Sequence, residues 1–202
     1  APDGTSRMRD LVLSLAVRGK LVPQDPRDEP ASALLRRIAG EKAKLVEAGK
    51  IRKESELPAT CDWANLPQGW AWSCLDDLTV LNPRNDVEDE TLVGFVPMAV
   101  VPTDYREVLR PEARRWGDIK TGYTHVADGD LVVAKITPCF QNSKSCIVAG
   151  LSAGVGAGTT ELVVFRARPG TVDVRFLLLF CKSRDFLDGG VATMTGTAGQ
   201  QR

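Results

Sequence analysis

Apolar residues recur at helical spacing over the first fifty positions and in short strand-like runs after them. Between Arg7 and Arg18, Met8, Leu11, Val12, Leu15 and Ala16 share one side of a 3.6-residue repeat, and Gly19 supplies a stop. Leu21 to Pro30 is a Pro- and Asp-rich connector. Pro30 suits a first helical turn, with Asp28 or Glu29 as cap or dipole partner. Ala31, Leu34, Leu35, Ile38, Leu45 and Val46 form a second apolar stripe that ends at Gly49. Lys42 interrupts that stripe, which makes it too short and impure for a coiled coil. The two segments predict a helical hairpin whose apolar face packs on the rest of the chain or on another subunit.

Residues 50–60 are polar and contain proline, which predicts a linker. From Trp63 onward the period changes. Leu92–Val96, Ala99–Val101, Asp130–Ile136, Cys146–Val148 and Leu162–Arg166 are β-prone runs separated by Gly, Pro, Asn and Asp. Val174 to Phe186 predicts a helix with Phe176, Leu177, Leu179 and Phe180 apolar; Asp173 can cap it and Gly189-Gly190 lies beyond it. The second segment is therefore α+β, with no internal repeat.

The chain has 202 residues, enough to bury roughly 70% of the surface its unfolded state exposes. No run approaches the roughly 18 apolar residues of a membrane span. Ala1-Pro2-Asp3-Gly4 lacks the charged and apolar regions of a signal peptide. The five cysteines, at 61, 74, 139, 146 and 181, contain no C-x-x-C, so reduced thiols in a cytoplasmic protein are expected. A single histidine, His125, disfavours most zinc and His-dependent triad chemistry. Net charge is zero, but it is unevenly spread. Residues 1–61 carry twelve basic and nine acidic side chains, residues 62–104 one and eight, and residues 105–202 thirteen and nine. A nucleic acid would meet a basic face of the last segment; the plain alternative is solvated surface throughout.

Candidate catalytic patterns are weak. Asp118-Ile119-Lys120 is the one acid-x-Lys of the β-rich part, and Pro111-Glu112 lies too close upstream to complete a nuclease site. Gly154-Val-Gly-Ala-Gly158 is followed by a strand pattern, so it predicts a tight loop or turn and not a cofactor or phosphate loop. His125 reads as a surface or core residue. More informative are three polar clusters on expected loops. Ile136 to Lys144 offers Thr137, Gln141, Asn142, Ser143 and Lys144 next to Lys135; Thr159-Thr160-Glu161 is the second; Thr193 to Arg202 is the third. Gln and Asn can read adenine edges, Arg and Lys guanine or phosphate, and Thr and Ser either.

At these residues the chain resembles the specificity subunits of type I restriction–modification systems. The resemblance runs in order through Leu15-Ala-Val-Arg-Gly-Lys-Leu-Val-Pro-Gln-Asp-Pro26, Asp28-Glu-Pro-Ala-Ser32, Leu66-Pro-Gln-Gly-Trp-Ala-Trp72, Phe95-Val-Pro-Met98, Gly129 to Lys144, Gly158-Thr-Thr-Glu161 and Thr195-Gly-Thr-Ala-Gly-Gln-Gln-Arg202. It covers nearly the whole chain. It implies an N-terminal helical segment and linker over residues 1–58. Over residues 59–202 it implies a mixed α/β target-recognition domain with a twisted, mainly antiparallel sheet. It further implies no catalysis, no cofactor and no metal in this chain, and a cytoplasmic role in bacterial defence. The implied partners are double-stranded DNA, the methyltransferase subunit and, through the complex, the restriction subunit, with self-association of half-subunits as a further one. Family members usually carry two recognition domains, each followed by a spacer helix. Against that pattern the chain reads as a fragment or an N-terminal half.

The DNA contacts implied are Lys135, Thr137, Gln141, Asn142, Lys144, Thr159, Thr160, Thr195, Gln200 and Arg202. Cys139 and Phe140 are expected to anchor the loop, and Trp70 and Trp72 to pack at the domain entrance. Two other readings are an assembly module that only docks the methyltransferase and the specificity part of a fused restriction–methylation enzyme.

Overall fold

The computed structural model describes residues 2–49, 66–105, 107–197 and 200–201. The expected linker at 50–60, the expected boundary after residue 58, Cys61 and Trp63 lie outside the described residues. The chain divides into two compact units, Ala1–Leu78 and Thr79–Arg202.

The first unit holds helices α1 (Pro2–Val17), α2 (Ala31–Glu47) and α3 (Leu75–Leu78). Gly19 ends α1 in the left-handed region at φ +66, where a Cβ would stand 2.4 Å from the Trp70 ring. Glycine is needed there on both counts. The Trp70 indole N–H donates to Gln24 Oε1 at 2.7 Å, and Gln24 Nε2 donates to the Gly19 carbonyl at 2.7 Å. Ala31 N–H donates to the Gly69 carbonyl at 2.8 Å. Trp70 thus packs on the connector between the first two helices, while Trp72 remains 46% exposed. Pro30 stands one place before α2 in extended backbone and has no side-chain acceptor with which to cap it; Glu29, one of the two expected caps, pairs with Arg37. Lys42, the break in the apolar stripe, donates to Asp77 Oδ1 of α3 at 2.8 Å. Ile38 is buried, whereas Met8, Leu11 and Val12 of α1 stay open to solvent.

The second unit contains β1 (Thr79–Leu81), β2 (Leu92–Val96), β3 (Glu112–Arg115), α4 (Trp116–Ile119), β4 (Thr124–Ala127), β5 (Leu131–Ala134), β6 (Ser145–Ile147), β7 (Val155–Gly158) and β8 (Leu162–Ala167). Helices α5 (Val174–Cys181) and α6 (Arg184–Thr193) and the two-residue strands β9 (Gly196–Thr197) and β10 (Gln200–Gln201) follow. One four-stranded sheet has the order β1-β8-β5-β6 and is antiparallel throughout. The other has the order β3-β2-β7-β4, with one parallel pair, β2 and β7. The fold is α+β and mainly antiparallel.

Period-two alternation divides the core. Val96, Val126, Val132, Ala134, Leu162 and Val164 join one buried cluster, which also takes Leu151 and Cys146. Val93 and Phe95, on the opposite face of β2, join Trp116, Ile119 and Ala157 in a second cluster. Gly156 and Gly158 belong to strand β7, not to the tight loop expected of the glycine run, although Gly154 turns at φ +69. A Cβ on Gly156 would stand 1.8 Å from the Gly94 carbonyl oxygen, so close backbone approach explains that glycine.

Two further expectations change. Ala99–Val101 is not a strand; Met98–Val100 is a 3₁₀ turn. The expected helix over 174–186 is two helices. Asp173 caps α5 as anticipated, accepting from Arg175 N–H at 2.8 Å. Ser183 then closes one helix and opens the next: its Oγ donates to the Phe180 carbonyl at 2.6 Å and accepts from Phe186 N–H at 3.3 Å. Gly189 and Gly190 therefore lie inside α6.

Candidate nucleic-acid interface

Strand register brings the polar clusters together. Ala134 pairs with Leu162, and Val133 with Ser145. The 135–144 loop and the Thr159–Glu161 turn therefore leave the same end of the first sheet. Val96 pairs with Gly158 in the second sheet, so the Met98–Val100 turn rises at that end as well. Direct bonds fasten the three. Lys135 N–H donates to the Glu161 carbonyl at 2.9 Å, Thr159 N–H to the Val96 carbonyl at 3.3 Å, and Lys144 Nζ to the Met98 carbonyl at 2.9 Å.

The side chains on this end differ in access. Lys135, Gln141, Asn142 and Thr160 are exposed. Thr137 is buried, at 8% exposure. Lys144 and Thr159 are half-buried, and Thr159 Oγ1 accepts from Glu161 N–H at 3.3 Å. Thr195 is exposed just after α6. Gln200 has its backbone in β10, opposite Thr197, and Arg202 lies outside the described residues.

The loop is anchored from below. The Phe140 ring is 5% exposed and packs against Phe186 of α6 at 5.7 Å between centroids; Cys139 packs on the main core cluster. A Cβ on Gly190 would stand 2.3 Å from the Phe140 ring, so the loop sits directly on the α6 backbone. The end of α5 contributes Lys182, whose Nζ donates to the Ser143 carbonyl at 2.9 Å and the Thr103 carbonyl at 3.0 Å. Burial holds its ammonium below the usual lysine range, although Cys146, Asp104, Cys181 and Glu107 act in the other direction. Burial also pushes the Cys146 thiol up to about 11 and the Cys181 thiol up to about 12. Lys182 and Gly190 escape a reading of the sequence. The one signal of either is a lysine at the end of a strongly apolar helix.

The weaker catalytic candidates have structural partners. His125 is 5% exposed, its ring 4.6 Å from that of Trp116. Its Nδ1 accepts from Asn85 N–H at 3.0 Å, which leaves Nε2–H to donate to the Lys120 carbonyl at 2.9 Å. Lys120 Nζ bonds Asp89 at 2.7 Å. Asp130 is almost fully buried and accepts from Arg166 Nε at 2.7 Å and Nη2 at 2.8 Å and from Ala127 N–H at 2.7 Å.

No family model matches the chain. It is 50% identical over 203 residues to the type I restriction enzyme EcoAI specificity subunit of Escherichia coli, a match covering 98% of this chain and 34% of the relative. It is 49% identical to the EcoEI specificity subunit of the same organism, with the same coverage. A solved chain described under complex assembly and conformational transition of the type I R-M system aligns at TM-score 0.43 and 14% identity, covering 83% of this chain and 42% of that one. That likeness is too slight to carry an argument. This chain spans about a third of the length of the curated relatives it matches. At half identity along nearly its whole length, it is a sequence relative of the type I restriction enzyme specificity subunits.

Proposed function

We propose that this chain is a sequence-reading module of a type I restriction–modification complex, in which one recognition domain reads one half of a split DNA site. The observation that carries the proposal is the half identity to two specificity subunits over 98% of the chain. The partners on this reading are double-stranded DNA, the modification subunit and, through the complex, the restriction subunit; two half-subunits can also associate. The chain itself does no chemistry and needs no cofactor. It works in the cytoplasm, where the DNA is; among the described residues no helix is long and apolar enough to cross a membrane. Residues 59–202 form the recognition domain on this reading, and residues 1–58 its helical entrance and linker.

The reading face is the sheet end that carries the 135–144 loop and the Thr159–Glu161 turn. Exposed amides at Gln141 and Asn142 suit bidentate contact with base edges in the major groove. Lys135, with Lys144, Thr159 and Thr160, fixes register on phosphates, whereas Thr137, expected among the contacts, is buried and not open to DNA. On this reading Thr195, Gln200 and Arg202 add DNA contacts from the chain's last segment. The modification subunit carries out base flipping and methyl transfer.

The test is co-expression with the modification subunit, followed by mapping of methylated positions in the host DNA. A split or palindromic motif that appears only with this chain, and shifts when residues 137–144 are exchanged, is the expected result. A complex that forms normally but methylates without regard to that loop refutes the site and favours an assembly module.

A further inference from the structure

We propose that Lys182 is a positioning residue that holds the 137–144 loop in its reading conformation and so sharpens base selection; this rests on the recognition reading above. Three observations converge on it. First, its single ammonium ties two separate loops to the end of α5, through the Ser143 and Thr103 carbonyls at 2.9 and 3.0 Å. Lys182 is half-buried, and partly desolvating an ammonium is costly unless its donors are used, as they are here.

Second, the residue it holds is in an unfavourable conformation. Ser143 has φ +55, in the left-handed region, which is unfavourable for a residue with a Cβ. Its neighbours Asn142 and Lys144 are the proposed base and phosphate contacts. An anchor at Ser143 therefore fixes the direction of both. Third, Lys182 reaches Ser143 from outside the loop, whereas the other bonds at that residue are local: Ser145 Oγ donates to the Ser143 carbonyl at 3.2 Å, and Ser143 N–H donates to the Phe140 carbonyl at 2.8 Å. Phe140 rests on Gly190 of α6, and Lys144 Nζ bonds the Met98 carbonyl. Lys182 alone, among the charged groups of α5 and α6 that have described partners, reaches the loop backbone at its strained residue. A reader displaced by even part of an ångström loses bidentate geometry, so discrimination is more sensitive to this anchor than overall affinity is.

The experiment compares Lys182→Met and Lys182→Arg in the full chain assembled with the modification subunit. Met keeps the apolar stem and removes the donors; Arg restores donors to both carbonyls. Amide hydrogen exchange is read at Asn142, Ser143 and Lys144, and methylation is read on the cognate site and on single-base variants. The expected result for Lys182→Met is about tenfold faster exchange at those three amides, with β5 and β8 unchanged, and about tenfold weaker discrimination. Lys182→Arg recovers most of both. Faster exchange spread evenly over β5, β6 and β8 marks a general stabiliser and overturns the proposal, as does unchanged exchange with an unchanged motif. If the Met variant does not assemble, Lys182→Gln, which has fewer donors, is read in the same way. Should Gln141→Ala leave the wild-type motif unaltered, the recognition reading fails. Base selection by Lys182 then falls with it, whereas loop-local exchange still decides the anchor itself.

Discussion

Two neighbouring glycines of α6 should respond to the same substitution with opposite sign. Gly189 and Gly190 both lie inside the helix, where replacing glycine by alanine gains about 0.5–1 kcal/mol of helical propensity. At Gly189 nothing stands within 4 Å of the added Cβ, so the propensity gain is the whole effect. At Gly190 the Cβ would meet the Phe140 ring at 2.3, 2.7 and 3.3 Å. That ring is 5% exposed and held by Phe186, so it cannot swing into solvent. Forcing a methyl against a packed ring costs about 1–3 kcal/mol, which outweighs the gain. Thermal unfolding should therefore place Gly189→Ala a few degrees above wild type and Gly190→Ala a few degrees below it. The second variant also pushes on the 137–144 loop, so its methylation motif should loosen while that of Gly189→Ala does not. Equal shifts of one sign in both variants would refute the claim that the loop rests on the α6 backbone.

The other predictions concern separate parts of the second unit. Asp130→Ala removes the acceptor of a nearly buried pair and strands the Ala127 N–H; Arg166 is 33% exposed and can rehydrate, so about 3 kcal/mol is expected from urea unfolding, and under 1 kcal/mol would contradict the geometry. Burial raises the Cys146 and Cys181 thiols, so native alkylation at neutral pH should label Cys74 and Cys139 and spare those two until the chain unfolds. Because both native values are raised, the stability they contribute is whole below the ordinary thiol pKa of about 8.5 and is lost as pH climbs through 11 and 12. Unfolding midpoints from neutral to alkaline pH, compared with those of Cys146→Ala, check this sign. Lys135→Ala should weaken binding to all DNA sequences alike and reduce the salt slope by roughly one charge; an unchanged slope would remove Lys135 from the phosphate contacts.

Local pattern was readable where one short-range requirement dominated. Leu92–Val96 has the apolar content of a strand and is β2, and Asp173 caps the helix that follows it. Gly19 stops α1 because the left-handed turn needs it. The pattern misled where a distant neighbour set the requirement. Gly156 looks like a turn residue until the Gly94 carbonyl 1.8 Å from its Cβ position makes it a strand residue. Ser183 looks like part of one apolar helix until its hydroxyl is seen to end one helix and cap another.

For the site, the residue types were legible and their arrangement was not. The amides, hydroxyls and lysines of 135–144 and 159–161 stand out in the sequence as polar loops. That they share one end of a sheet follows from pairings such as Ala134 with Leu162, which join residues 28 positions apart, and no local preference encodes that register. Access was decided the same way: Thr137 and Gln141 look alike on paper, yet packing buries one and leaves the other open. Most helices and strands, the polar character of the loops and the relation to the specificity subunits could be read from residue order alone, because each rests on local pattern or direct identity. The contacts of Lys182 and Gly190 with the loop emerge in three dimensions alone, because a half-buried cation and a missing side chain acquire meaning from what lies across the space they face.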